Sequence, residues 1–204
     1  KELALTGGIG AISSRLTVEG PTFKDKGSFL LSGRASYAHL FLKLADNNNS
    51  ANFYDVNFKT NYTINDKNRL FLSGYLGQDN FSLVNRFSNS YGNISGNLRW
   101  NHIFNDKLFS NLSLIYSQYN YGLQLDIQGL DWKSKINNYN VKYDVGYYLS
   151  DKMKFNFGAS GIYYKFNTGE LNPLNESSGI NPRKLDDKFA LEGGIYTSLE
   201  HKIC

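Results

Sequence analysis

Tyr91-Gly-Asn-Ile-Ser-Gly-Asn-Leu-Arg-Trp-Asn-His-Ile-Phe104, then Asn105-Asp-Lys107, then Leu108-Phe-Ser-Asn-Leu-Ser-Leu-Ile-Tyr-Ser-Gln-Tyr-Asn-Tyr-Gly122, is the stretch whose reading decides the fold. Both flanks alternate with period two, the mark of a strand with unlike faces. In the first, Ile94, Gly96, Leu98 and Trp100 share one face, while Asn93, Ser95, Asn97, Arg99 and Asn101 share the other. In the second, Leu108, Leu112, Leu114 and Tyr116 oppose Asn111, Ser113 and Ser117. Asn105-Asp106-Lys107 is turn chemistry, because Asn and Asp tolerate a left-handed backbone and bond their own main chain.

The hairpin recurs. Turns of the form X-Asp-Lys begin at Lys24, Asn65, Asn105 and Ser150, a near-constant spacing. Between them the alternation predicts a short hairpin from 2–8 and 12–20, then strands at 28–42, 53–64, 69–78, 137–149, 153–166 and 188–200. Long connections are expected at 43–52, 79–90, 123–136 and 168–187, so that tight turns alternate with long loops. Outer-membrane barrels show this asymmetry, with tight turns on the periplasmic side and long loops outside.

Composition agrees with long strands. Aromatic residues make up 15% of the 204 residues, Gly is frequent at 19 and Pro scarce at 3, as long strands joined by tight turns require. The mean hydropathy is negative, but in a barrel only every second residue meets lipid. No apolar run is long enough for a transmembrane helix. Cys204 is the single cysteine, which excludes an internal disulfide or cysteine metal cluster. The net charge of +4 is dispersed and argues for no anionic partner; no nucleic acid is expected.

Alternation alone does not say what the apolar face touches, since a soluble sandwich alternates too. Lipid is favoured on several grounds. The expected strands run to about 10–14 residues, against about 5–6 in globular proteins and about 9–11 for a membrane crossing. The apolar faces carry no Asp, Glu, Lys or Arg, whereas the opposite faces hold Arg15, Glu19, Arg34, Asp55, Lys59, Arg99, Lys142, Asp144 and Glu192. Tyr37, Tyr62, Trp100, Tyr116 and Tyr163 fall near the ends of apolar stripes, where amphipathic rings suit a headgroup girdle. The expected fold is therefore all-β, a transmembrane antiparallel up-and-down β-barrel in the bacterial outer membrane. An open sheet edge is not tolerated in lipid, so the chain is read as part of a larger barrel.

Gly7-Gly8-Ile9-Gly10 with Ser14-Arg15-Leu16-Thr17-Val18-Glu19-Gly20-Pro21, the stretch Ser28–Arg34 and the Asp-Lys turns resemble the start of the barrel in TonB-dependent outer-membrane receptors. The likeness is to those with a carboxypeptidase-regulatory-like N-terminal domain. It implies that residues 1–204 supply about the first ten strands of a barrel of about 22, with a plug domain upstream and the remaining strands downstream. It further implies active solute uptake energised through TonB, which the plug region contacts. The implied partners are outer-membrane lipid and a small-molecule, oligosaccharide or peptide solute, with a surface lipoprotein lid as a further candidate. The alternatives are a passive porin or structural barrel complete in about ten strands, and a soluble all-β binding protein.

No catalytic, metal or cofactor site is expected. His39, His102 and His201 fall on different strands, with no carboxylate or serine spacing that forms a triad. Asp46-Asn47-Asn48-Asn49-Ser50, with Asp55 beyond, lacks the glycine and closing Glu of an EF-hand. Asn61, Asn93 and Asn111 match a glycosylation pattern but sit within strands. Tyr119 and Tyr121 form a candidate stacking platform, with a barrel-rim girdle the simpler reading. The functional surface is expected at the lumen wall. There Arg15, Arg34, Lys59, Arg99, Lys142 and Asp144 face a plug or a passing solute, or else form a generic wetted wall.

Overall fold

A computed structural model describes residues 2–22, 24, 26–44 and 49–203, the side chain of Ser177 excepted. Its architecture is one antiparallel sheet. In chain order the strands are β1 (Ala4–Ile9), β2 (Ser13–Thr22), β3 (Gly27–Ser36), β4 (Ser50–Asn65), β5 (Asn68–Leu83), β6 (Phe87–Asn105), β7 (Leu108–Leu125), β8 (Leu130–Ser150), β9 (Met153–Pro173), β10 (Arg183–Lys184) and β11 (Lys188–His201). Each strand from β1 to β9 pairs with its sequence neighbours; β10 and β11 both pair with β9, at different heights. This is the up-and-down topology expected from the sequence. The sheet is open: among the described residues β1 pairs only with β2, and β11 only with β9.

The tight turns hold as sequence chemistry dictates. Asn65 Oδ1 accepts from the Lys67 backbone N–H (3.0 Å) and Asn105 Oδ1 from that of Lys107 (2.9 Å). The Ser150 hydroxyl accepts more weakly from Lys152 at 3.4 Å. Each Asn turn is preceded by a register shift, between Thr63 and Asn65 and between Ile103 and Asn105. The left-handed residues among those described are Lys24, which opens the first X-Asp-Lys turn, and Asn85, Gly129 and Gly179. Asp25 lies outside the described residues, as do Asp46, Asn47, Asn48 and Cys204.

Register carries each face across the sheet. Phe29, Thr60, Leu72, Leu98, Leu114, Val141, Gly161 and Gly193 form one continuous row. Ser28, Asn61, Phe71, Arg99, Ser113, Lys142 and Ser160 form another, on the opposite face. Among the described residues no second layer covers the apolar face. Val145 is the one buried hydrophobic residue among those described, whereas Leu191 and Ile195 are 82% and 90% exposed. A soluble sandwich buries such a row against a second sheet; here the apolar face is left to the surroundings. The apolar run of β8 from Leu149 to Tyr139 has a rise of about 3.3 Å per residue. At a tilt of about 35–45° it stands about 25 Å tall, the height of a lipid-facing band.

Several expected boundaries differ. The strand expected over 28–42 ends at Ser36, and a short helix, α1 (Ala38–Leu44), follows. The consecutive Leu40, Phe41 and Leu42 do not alternate, so the pleat gains nothing by continuing. His39 is therefore helical rather than on a strand. Tyr37 stands at the join, where its hydroxyl donates to the Gly10 carbonyl and lies 3.2 Å from the Ser14 hydroxyl. The connections expected at 79–90 and 123–136 are mostly strand. Leu83–Phe87 and Leu125–Leu130 close as tight turns, through Asn85 and Gly129 in left-handed conformations. The loop expected at 168–187 begins only after Pro173, and tight turns do not strictly alternate with long loops.

The reason is an exchange of faces. Toward the Asn-Asp-Lys turns, the face carrying Leu98 is apolar. Toward the opposite end, here the loop end, the same face continues as Gln78, Asn80 and Ser82 on β5, Gln118 and Asn120 on β7, and Lys133 and Lys135 on β8. The other face changes in the opposite sense, from Asn, Ser and charge to Phe81, Tyr91, Tyr119, Tyr121 and Trp132. The strands run on through the exchange.

Candidate functional site

The polar face is the candidate working surface, and register places all six sequence-singled charges on it. They form three groups rather than one site.

On β8 and β11, Lys142 Nζ lies 3.1 Å from Asp144 Oδ1 and 5.6 Å from the centre of the Tyr196 ring, while the Tyr196 hydroxyl donates to Asp144. Residues from β8 and β11 are thus locked into a small cluster whose charges satisfy each other.

The second group surrounds Phe71. The Arg99 and Arg69 guanidiniums sit 4.4 Å and 5.1 Å from its ring centre, and each stacked cation gains from the ring quadrupole. Lys59, Glu19, Phe71 and Arg99 line one hollow of about 690 Å³ that also reaches Glu2, Asn61 and Asn97. Neither Lys59 nor Arg99 has a carboxylate within salt-bridge distance among the described residues. Glu2 and Glu19 stand in the same concavity, so it presents separated cations and carboxylates rather than a net positive charge.

The third group is nearer the loop end. Arg15, Arg34 and Asp55 are cross-strand neighbours on β2, β3 and β4. Arg34 meets Asp55 Oδ2 at 2.7 Å and lies 4.9 Å over the Phe53 ring. Asp55 is only 9% exposed, so the guanidinium compensates a nearly buried carboxylate. Arg15 has no ion-pair partner among the described residues and extends along Gly8, 3.5 Å from where a Cβ there would stand.

Sequence reasoning did not assign roles to Phe71, Phe53, Asp55 and Tyr196, which position these charges. It also favoured the wrong face for Tyr119 and Tyr121. Tyr119 pairs with Asn93 and Ile136, and Tyr121 with Tyr91 and Ser134, all on the polar-face parity. They are not part of the outward girdle, which at this level is Tyr116, Tyr139 and Tyr163, ring centres 5.1 Å and 6.3 Å apart. Counting parity onward from Asn93 would have found this. The corresponding girdle at the turn end is Trp100, His102 and Phe104, with His102 Nδ1 2.8 Å from Asn68 Oδ1. Among the described residues no group of His, Cys, Asp or Glu is arranged to hold a metal ion.

With this geometry in view, solved structures decide the architecture. The sheet superposes on BauA, the ferric preacinetobactin receptor of Acinetobacter baumannii, with a TM-score of 0.62 over 93% of this chain at 11% identity. The fold is that of a β-barrel wall. The chain spans 37% of that receptor's length, so it corresponds to an arc of the wall. FyuA, the ferric yersiniabactin uptake receptor of Yersinia pestis, matches 92% of the chain at 12% identity and covers 34% of that receptor, with a TM-score of 0.47. The copper transporter OprC matches 100% at 10% identity, covering 43% of that protein, with a TM-score of 0.40. The fold assignment rests on the first of these, and at such identities the likeness is one of fold alone. No family model matches the sequence, and no characterised protein matches it by sequence.

Proposed function

We propose that this chain is part of the barrel of a TonB-dependent outer-membrane transporter, taking up a solute through a lumen that a plug domain gates. The observation that supports it most is the pairing of an ion-free outward band, about 25 Å tall, with an inward wall of separate charged groups, in a sheet that superposes on the ferric preacinetobactin receptor. Such a wall left open at β1 and β11 leaves strand edges unpaired, which lipid does not tolerate; further strands close it. The plug and the TonB contact belong to the remainder of the protein, and a surface lipoprotein lid is a further candidate partner. The solute is a small molecule, oligosaccharide or peptide. Arg15 and the Lys59–Arg99 hollow are the inward groups free to meet the solute or the plug. Lys142 and Asp144, paired to each other, serve the wall.

The test is uptake in cells carrying the full-length protein, with and without the energy-coupling protein. Uptake that needs the coupling protein, and falls in Lys59→Ala/Arg99→Ala but not in Lys142→Ala/Asp144→Ala, supports the reading. Uptake indifferent to energy coupling would return the chain to the passive-porin class.

A further inference from the structure

The inward hollow around Phe71 keeps opposite charges apart. Glu19 on β2, Leu30 on β3 and Lys59 on β4 are cross-strand neighbours in one row of the inward face. One row nearer the turns, Asn61, Phe71 and Arg99 follow one another across β4, β5 and β6. Glu19 and Lys59 therefore stand two strand spacings apart, about 10 Å, with the apolar Leu30 between them. Arg99 is drawn the other way, onto the Phe71 ring at 4.4 Å. Glu2 precedes β1 and adds a second carboxylate to the same lining. None of these four charges has an ion-pair partner among the described residues, although both signs share one concavity. Register, not solvent, denies them to one another.

The hollow thus has an acidic side toward β1 and β2, a cationic side on β4 and β6, and an apolar floor at Leu30 and Phe71. Its volume of about 690 Å³ is that of a small-ligand site. A simple anion meets Glu2 and Glu19 as like charges, and a neutral sugar leaves all four charges unmatched; both mismatches select against those classes. An occupant with an ammonium and a carboxylate about 10 Å apart answers both sides at once. An extended chain spans about 3.3–3.6 Å per residue, so three residues with free termini have that reach. We infer that the hollow seats a short peptide with free termini, amino group on Glu19 and Glu2, carboxylate on Lys59 and Arg99, middle side chain over Leu30. The inference rests on the transporter reading, since only a lumen wall brings the hollow into a solute's path, and it narrows the solute to a zwitterionic peptide.

The test titrates the full-length protein in detergent with the tripeptide Ala-Leu-Ala and with its N-acetylated and C-amidated forms, read by calorimetry. The free peptide is expected to bind about tenfold more tightly than either capped form, because each cap removes one charge-assisted contact. Glu19→Gln should weaken the free peptide about tenfold and leave the acetylated form unchanged. Lys59→Gln should weaken the free peptide by the same factor and leave the amidated form unchanged. Both side chains are exposed, and unchanged circular dichroism verifies folding. Equal affinity for free and capped peptides, no binding, or variants that shift all three peptides alike overturn the inference. A plug segment as the true occupant also overturns it: Lys59→Gln then opens the interior to protease without changing peptide affinity. Binding in detergent needs no energy coupling, so its failure leaves the transporter reading standing, whereas uptake without coupling counts against that reading alone.

Discussion

The two halves of each long ribbon have opposite designs. In the half toward the Asn-Asp-Lys turns, Leu72, Leu98, Leu114 and Val141 point out, and Ser73, Arg99, Ser113 and Lys142 point in. In the half toward the loops, Gln78, Asn120 and Lys135 point out, and Phe81, Tyr91, Tyr121 and Trp132 point in. Backbone pairing is indifferent to the change: β6 and β7 keep their register from Ile103–Phe109 to Phe87–Leu125. What changes is the neighbour of each face. On the barrel reading proposed above, hydrocarbon selects the outward side of the lower half and water or headgroups that of the upper half. On the same reading, the inward aromatics of the upper half form the side available for packing against other parts of the protein or a solute.

The largest effect that would break this comparison is the cost of an outward cation. Leu98→Lys or Leu114→Lys, in the middle of the band, should destabilise the inserted protein by about 2–4 kcal/mol, against about 0–1 kcal/mol for Gln118→Lys or Asn120→Lys beyond it. Denaturant unfolding of the full-length protein from vesicles measures both. A flat profile across the four positions would mean that the exchange of faces does not mark the edge of the bilayer.

A spectroscopic difference sharpens the same point. The chain has 2 tryptophans, one on each side of the exchange. Trp100 belongs to the outward turn-end girdle, donating to Asn68 Oδ1 at 3.0 Å. Trp132 points inward at the loop end, its ring covering Gly169 so closely that a Cβ there would stand 2.3 Å from it. Quenchers on acyl chains should remove fluorescence that Trp100→Phe also removes, and an aqueous quencher should act on the part lost in Trp132→Phe. Lipid quenching of Trp132 would place the upper half inside the bilayer.

The exchange also explains what could be read from sequence. The hairpin at Tyr91–Gly122, the turns at Asn65, Asn105 and Ser150, and the sorting of Arg34, Lys59 and Arg99 to one face depend only on local alternation and turn chemistry, and these were legible. Strand ends were not. The apolar side marks a strand only as far as it stays apolar, and it turns polar near Gln78 and Asn137 while the period of two runs on. Tyr119 and Tyr121 lie beyond that point, where an aromatic ring no longer marks the outward face and only parity does. The grouping of charges was hidden differently. Arg34 meets Asp55 and Arg99 meets Phe71 through cross-strand register, a property of two strands together that neither announces alone.

The smallest effect concerns charge on the outward face. Within the band that face carries no Asp, Glu, Lys or Arg among the described residues, so its stability has no such group to titrate. Beyond it, Lys133 is hydrogen-bonded to Asp131 and lies in its field, with Glu170 adding a weaker pull, and its pKa is raised above the usual 10.5. A cation whose pKa is higher folded than unfolded contributes stability that is complete below the unfolded value and lost as pH rises through the folded one. The Lys133 side chain is 61% exposed, so screening holds the contribution to about 0.2–1 kcal/mol at most. The stability difference between wild type and Asp131→Asn should thus be constant up to about pH 10.5 and close above it. It should also shrink in high salt, because water and ions reach this half of the outward face. A difference insensitive to salt would mean that the pair is shielded, and that the polar half of the outward face is covered by something other than solvent.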